Sequence, residues 1–362
     1  MWTRSPGEEK RSDHQMSHKK IRVLIVEDSF LMRKIIGDAI NADPDLEVIH
    51  KAKNGREGLQ KILELKPDIV TLDINLPLLD GIAVLKEVMK KQPTKVIMLS
   101  AYTKEGTNDT MKALELGAID FIAKPSGEIS LDIYKLKDEI VAKIKLAGKI
   151  ELDKFMSVVS SGIAAPSAKE KVFAVKKLVI IGASTGGPKV VLDIMKNIPG
   201  TDKAAFIIVQ HMPVGFTTTF AERISWESKI KAKEAEDNEF ICAGKAYVAP
   251  AGHHLIVEKY GEHLKARLTQ DPQVNFVRPS IDVTMSSAAQ ACGENIIGII
   301  LTGMGKDGME GAKSIKEKGG TIIIQNEESS VVWGMPKAVS EAGLADKVLS
   351  PQQIVQEIAK AI

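Results

Sequence analysis

The chain opens its ordered pattern at Ile21–Val26, where IRVLIV forms a short, largely β-branched run that stops at two acids, Glu27 and Asp28. Such a run suits a buried parallel strand. Phe30 to Ile40 then carries apolar residues at helical spacing. The alternation continues through LEVIHKA, a helix from about Asn54, DIVTLD, a helix after Gly81, KVIMLS, a helix from Lys104, and IDFIAKP. A last helix is expected from about Leu131 to Leu146. Five strand–helix pairs with short connections predict a doubly wound parallel sheet with helices on both faces. The strand order is left open by the pattern.

The texture changes after that helix. SVVSSGIAAPSAKEKV mixes small, polar and basic residues without a sustained period, and reads as a linker. Near Leu178 the alternation resumes with LVIIG, AFIIVQ, IIGIILTG and GTIIIQN. Between the second and third of these runs, AYVAPAGHHLIVEKYGEHLKARLT alternates about central turns, as an antiparallel hairpin does. The expected divisions are a disordered leader over 1–19, a first domain over 20–147, a linker over 148–177 and a second domain over 178–362.

Composition narrows the class without changing the outline. Apolar residues make up 44% and charged residues 27% of the 362, and the formal charge is +2. That balance gives no electrostatic pull toward nucleic acid or a membrane surface. Two cysteines far apart, Cys242 and Cys292, have no metal-ligand spacing and fit a free-thiol cytoplasmic protein. No apolar run approaches the roughly 18 residues of a membrane span.

Polar residues at strand ends carry the chemistry of the first half. Ligands of an open parallel sheet sit outside the carboxyl ends of its strands. Glu27 and Asp28 end the first strand, Asp73 the third and Ser100 the fourth; Lys124 follows the fifth. Crowded carboxylates need a cation among them, and oxygen-only ligands favour Mg²⁺ paired with a phosphate. One carboxylate can then attack phosphorus, while the ammonium and hydroxyl hold the new phosphoryl oxygens. The bland reading of each residue alone is a helix cap or a turn. VEDS, DINLPLLDG, MLSAY and DFIAKP together resemble a response-regulator receiver domain over about 120 residues. The resemblance implies Asp73 as phosphoacceptor, Glu27, Asp28, Asp73 and Asn75 around Mg²⁺, and Ser100 and Lys124 as the switch pair. It also implies Phe121 as the aromatic that changes rotamer. Glu27 stands where the common pattern has an aspartate, and Asn75 where a glutamate is frequent, a change expected to tune phosphate turnover.

In the second half, Gly182, Ser184 and Gly186 form G-x-S-x-G between a strand and a helix that Pro188 helps to start. A tight strand-to-helix turn lifts a serine hydroxyl out of the sheet. The rival reading is a phosphate-binding turn or a simple cap. Of 7 histidines, His211 follows AFIIVQ at a strand end and is the best general base. His253 and His254 read as exposed turn residues. Asp307, in the Gly-rich loop after IIGIILTG, is the best orienting acid; Asp282 and Asp193, on expected helices, fit less well. The order Ser, His, Asp differs from that of α/β-hydrolases.

GASTGGP, VQHMPVGF, YVAPAGHH, RPSIDV, ILTGMGKDG and SSVVWGMPKAV resemble the catalytic domain of the CheB-type chemotaxis methylesterases over about 185 residues. The fold this implies is α/β: two doubly wound parallel-sheet domains, a flavodoxin-like receiver and a Rossmann-like serine hydrolase with a β-hairpin. The resemblance assigns Ser184, His211 and Asp307 as the triad. Thr185 and the Met304 backbone are candidates for oxyanion and substrate support, and Arg278 and Met335 for the cleft lining. It implies glutamyl methyl esters on cytoplasmic chemoreceptor helices as substrate, a histidine kinase as phosphodonor, and ester hydrolysis without a cofactor. Glutamine deamidation by the same nucleophile and a docking module without turnover are the alternatives.

Overall fold

The structure, a computed structural model, describes residues 20–101, 104–124, 132–150 and 175–362. The expected leader and most of the expected linker lie outside the described residues.

Strands β1 (Ile21–Val26), β2 (Leu46–Ala52), β3 (Ile69–Asp73), β4 (Lys95–Ser100) and β5 (Asp120–Ala123) form one parallel sheet in the order β2-β1-β3-β4-β5. Helices α1 (Phe30–Ala42), α2 (Gly55–Leu65), α3 (Gly81–Lys91), α4 (Lys104–Glu115) and α5 (Asp132–Gly148) alternate with them. The polar residues ahead of the first three helices act as caps. Ser29, Asn54 and Asp80 accept from the backbone N–H groups of Met32, Glu57 and Ala83, each satisfying a donor that the helix itself cannot. Every residue of β3 is buried, as a strand covered on both faces must be.

The second sheet is parallel and seven-stranded, ordered β15-β14-β13-β6-β7-β10-β8. Its centre is β6 (Lys177–Ala183), β7 (Ala204–Gln210) and β13 (Ile296–Ile300); β14 (Thr321–Gln325) and β15 (Lys347–Leu349) flank one side. β8 (Lys231–Glu234) and β10 (Lys245–Val248) flank the other. The hairpin appears as β11 (His254–Tyr260) and β12 (His263–Thr269), joined by β9 (Glu239–Ile241) in a separate antiparallel sheet. The AYV run belongs to β10 in the main sheet and not to the hairpin, because its three residues pair in parallel with β7 and β8. Helices α6 (Gly187–Asn197), α7 (Phe216–Glu227), α8 (Ile281–Cys292), α9 (Met309–Glu317), α10 (Met335–Glu341) and α11 (Pro351–Ala361) complete the layers.

Strand order reverses beside β1 in the first sheet and beside β6 in the second. Each reversal opens a crevice at the strand carboxyl ends, because the helices on either side depart to opposite faces. The two halves also touch. Phe121 of β5 stacks on Phe216 of α7, with ring centroids 4.8 Å apart. The Thr107 and Thr219 hydroxyls lie 3.0 Å apart, and Arg223 pairs with Glu115 at 2.5 Å.

Candidate active site and phosphoacceptor pocket

At the second crevice, β6 and β7 run in register with Ala183 opposite Gln210. Continuing by one residue sets Ser184 across from His211, and the His211 N–H donates to the Ala183 carbonyl at 3.0 Å. Parallel neighbours lie about 4.8 Å apart and in-register side chains share a face. The turn after β6 is held tightly. The Ser184 N–H donates to Thr302 O at 3.0 Å and Gly187 N–H to Ser184 O at 2.8 Å. Gly186 has φ +75° at the start of α6, a conformation that costs a side-chain-bearing residue.

His211 Nε2 lies 2.9 Å from Asp307 Oδ2. Asp307 is almost fully enclosed and receives further donors. Ser280 Oγ donates to Oδ1 at 2.7 Å and Ile281 N–H to Oδ2 at 2.7 Å, while Asp282 N–H and Asn275 Nδ2 reach Oδ1 at 3.2 Å each. Burial alone would raise its pKa. The bond and charge of His211, with the donors of Ile281 and Ser280, outweigh burial and hold it at about 2. An acceptor that stays ionised requires the Nε2 proton, which leaves Nδ1 with a lone pair. The structure thus brings His211 and Asp307 together, and sets Ser184 on the adjoining strand end. Among the described residues the Ser184 hydroxyl makes no hydrogen bond.

The Gly303–Met304 backbone closes the other side of Ser184. A Cβ at Gly303 would lie 2.7 Å from the Ser184 Cβ. The Met304 N–H takes no partner among the described residues, and Thr185 is half-buried beside Ser184. Arg278 sits with His211 in a cleft of about 400 Å³. Its Nη1 clips the carbonyls of Gln270 and Asp271 at 2.7 and 2.9 Å, so the guanidinium serves its own loop. Met335 does not line the cleft. It is 0% exposed and packs beneath Gly303, where a Cβ would meet its Sδ at 2.5 Å; the sulfur fills space behind the turn.

The motifs assign no role to several residues that shape the site. Gln210 and Gln325 are buried polar strand ends. Gln210 Nε2 donates to Ser184 O at 2.9 Å, and Gln325 Oε1 accepts from Thr302 N at 2.9 Å. The strand-end rule that found His211 would have found both. His254 is buried rather than exposed. Its Nδ1 accepts from Ser280 N–H at 3.1 Å and its Nε2 faces Pro272 O at 3.1 Å, so Nε2–H is the donor to that carbonyl. Asp282 lies beside Asp307, and burial, with the neighbouring charge, pushes it up to about 6.

At the first crevice, Glu27, Asp28 and Asp73 offer carboxylate oxygens within 4.8 Å of one another. Lys124 Nζ reaches Glu27 at 2.8 Å and Asp73 at 2.7 Å. Burial, with mutual repulsion, raises Glu27; burial also raises Asp73. For Lys124, burial works downward but the two carboxylates prevail and raise it. One ammonium against three carboxylates leaves room for a further cation. Asn75 is exposed, and its backbone N–H donates to Asp73 Oδ1 at 3.3 Å. Ser100 is buried, accepts from Thr110 Oγ1 at 2.6 Å and donates to Gly106 O at 3.0 Å. Phe121 is buried against Phe216.

The chain matches the CheB methylesterase family over residues 179–358 and the response regulator receiver domain over residues 23–133. A Pyrococcus abyssi protein-glutamate methylesterase/protein-glutamine glutaminase is 44% identical, the match covering 96% of this chain and 95% of that one. One from Symbiobacterium thermophilum is 40% identical over 95% and 98% of the two chains. The crystal structure of the Thermotoga maritima CheB methylesterase catalytic domain is 41% identical with a TM-score of 0.51, covering 51% of this chain and 98% of that domain.

Proposed function

Because this chain belongs to the CheB family of methylesterases, hydrolases that here carry a receiver domain, we propose that it hydrolyses glutamyl γ-methyl esters on chemoreceptors under control of receiver phosphorylation. The 2.9 Å contact of His211 Nε2 with Asp307, on the strand end opposite Ser184, carries the reading. Asp307 fixes the imidazole so that Nδ1 takes the Ser184 proton. The alkoxide adds to the ester carbonyl. The resulting oxyanion is met by backbone N–H groups near Thr185 and Met304. The tetrahedral intermediate collapses, the C–O bond to methoxide breaks, and the imidazolium returns its proton to release methanol. Water repeats the sequence on the acyl-enzyme and leaves a glutamate. An amide in the same position would leave as ammonia, and the double name of the relatives supports glutaminase activity as a second reaction.

Asp73 is the proposed phosphoacceptor, with a related histidine kinase as donor. Glu27, Asp28 and Asp73, with Asn75 beside them, would hold Mg²⁺, whose charge would offset that of the phosphoryl oxygens. The fit is supported by the excess of carboxylate over ammonium in that pocket. For Ser100 to bind a phosphoryl oxygen it must leave Thr110 and Gly106, both of α4. The same helix carries Thr107 and Glu115, which meet α7, so the pocket is mechanically linked to the domain contact. Ala123 and Glu139 of the receiver also border the cleft that holds His211, which supports a receiver that obstructs substrate entry until phosphorylated. No described helix is long and apolar enough to cross a membrane. The proposed setting, from the substrate, is the cytoplasmic side, where the receptor helices stand.

The test is methanol release from methylated receptor, with and without a small-molecule phosphodonor and Mg²⁺. Ser184→Ala is expected to abolish release, and Asp73→Asn to abolish stimulation. Undiminished release by folded Ser184→Ala would eliminate the serine mechanism and leave a docking module or another nucleophile.

A further inference from the structure

The two buried carboxylates at the start of α8 pose an electrostatic problem that one amide resolves. Asp282 Oδ1 accepts the N–H groups of Gly308 and Gly311 at 2.9 and 2.8 Å, and thereby clamps the loop that carries Asp307. Its other oxygen, Oδ2, receives Asn275 Nδ2 at 2.8 Å, and the same nitrogen reaches Asp307 Oδ1 at 3.2 Å. An amide nitrogen has two protons, so Asn275 can serve both acids at once. The backbone is shaped for that purpose. Val274 and Val277 exchange hydrogen bonds of 3.2 and 3.1 Å, and between them Asn275 and Phe276 both take positive φ, 53° and 63°. Asparagine tolerates this region; phenylalanine does not do so readily. Phe276 is 95% exposed and borders the cleft with His211, so the turn gains nothing from burying it.

We propose that Asn275 is a positioning residue of the active site: its amide bridges Asp282 and Asp307, keeps both carboxylates ionised side by side, and so preserves Asp307 as the anion that orients His211. The inference rests on the Ser184–His211–Asp307 reading. Without the bridge, like charges this close take up their first proton at higher pH; carried by Asp282 against Asp307, it weakens the anion that holds the imidazole. Among the described residues, the His254 ring hydrogen-bonds to the Ser280 N–H and Pro272 O. Lys306 and Glu310 are exposed. Across the cleft stand Glu139 and Arg278, the latter clipped to its own loop.

Asn275→Gly removes the amide and keeps a residue suited to positive φ. In the full-length, phosphodonor-activated enzyme, the acid limb of the kcat profile is expected to move up by about 1 pH unit, with kcat falling roughly 10-fold and KM little changed. Adding Asp282→Asn to that variant removes one carboxylate and sets an amide where it can donate to Asp307. The double variant is expected to regain the wild-type acid limb and most of the lost kcat. A role limited to holding the loop predicts the opposite, a second loss on top of the first. An unshifted limb in a folded Asn275→Gly, or no recovery in the double variant, overturns the proposal while wild type still depends on Ser184. Activity that survives Ser184→Ala overturns this inference and the hydrolase reading together.

Discussion

Arg223 offers the cleanest way to weaken the contact between the two halves without touching either crevice. Its guanidinium pairs with Glu115 of α4 at 2.5 Å, the two side chains being 34% and 32% exposed, and also with Glu227 one turn along its own helix. Glu227 has a second partner in Lys196 at 3.7 Å, so Arg223→Ala leaves no carboxylate on α7 stranded. A half-exposed pair contributes at most about 1 kcal/mol after solvent screening. If the receiver covers the cleft in ~99% of unphosphorylated molecules, it does so by roughly 2.7 kcal/mol. Losing about 1 kcal/mol of that raises the open fraction from ~1% to about 5%. Basal methanol release should therefore rise about 5-fold without phosphodonor, while the fully stimulated rate changes little. Arg223→Glu faces Glu115 with a like charge; a further ~1 kcal/mol of repulsion brings the rise to about 20-fold. Pairing it with Glu115→Arg should return the rate toward wild type. Initial rates of methanol release from methylated receptor, at low salt where the pair is least screened, measure all four proteins. Basal rates that stay equal across the series would refute the claim that this ion pair holds the receiver over the cleft.

Two further predictions concern the active-site loops. Gly303→Ala puts a methyl group 2.7 Å from the Ser184 Cβ and 2.5 Å from the Met335 sulfur; the turn must shift, costing about 1–3 kcal/mol in urea unfolding and most of the esterase activity. A normal rate with a normal unfolding midpoint would show that the backbone there can yield. Asp282 has its folded pKa pushed up to about 6 by burial and by Asp307, so the folded state binds a proton that the unfolded state releases. Stability from this group grows as pH falls from about 7 to about 4, where the unfolded aspartate protonates too. Against Asp282→Asn, which cannot titrate, wild type should gain in relative urea midpoint across that range; a flat difference would contradict the assignment.

What the sequence determined by itself is the element list and the chemistry at strand ends. Both are local: β-branched runs, helical spacing and cap residues act over a few positions, and a polar residue closing a buried strand must emerge at its carboxyl edge. Glu27, Asp73, Ser184 and His211 were legible for that reason, and so was Asp307 in the Gly-rich loop after a buried strand. Strand order and neighbours belonged to the tertiary structure. The AYV run alternates as a hairpin strand would, and only its partners, β7 and β8, make it part of the parallel sheet. His254 and Met335 went astray in the same way, since exposure depends on what packs above a residue. Asp282, on a helix by its pattern, became part of the acid site because α8 begins beside the Asp307 loop. Asn275, 32 positions from Asp307, meets it through a side-chain bond. Electrostatic coupling falls off through space, and the chain's order carries little record of which buried charges will be neighbours.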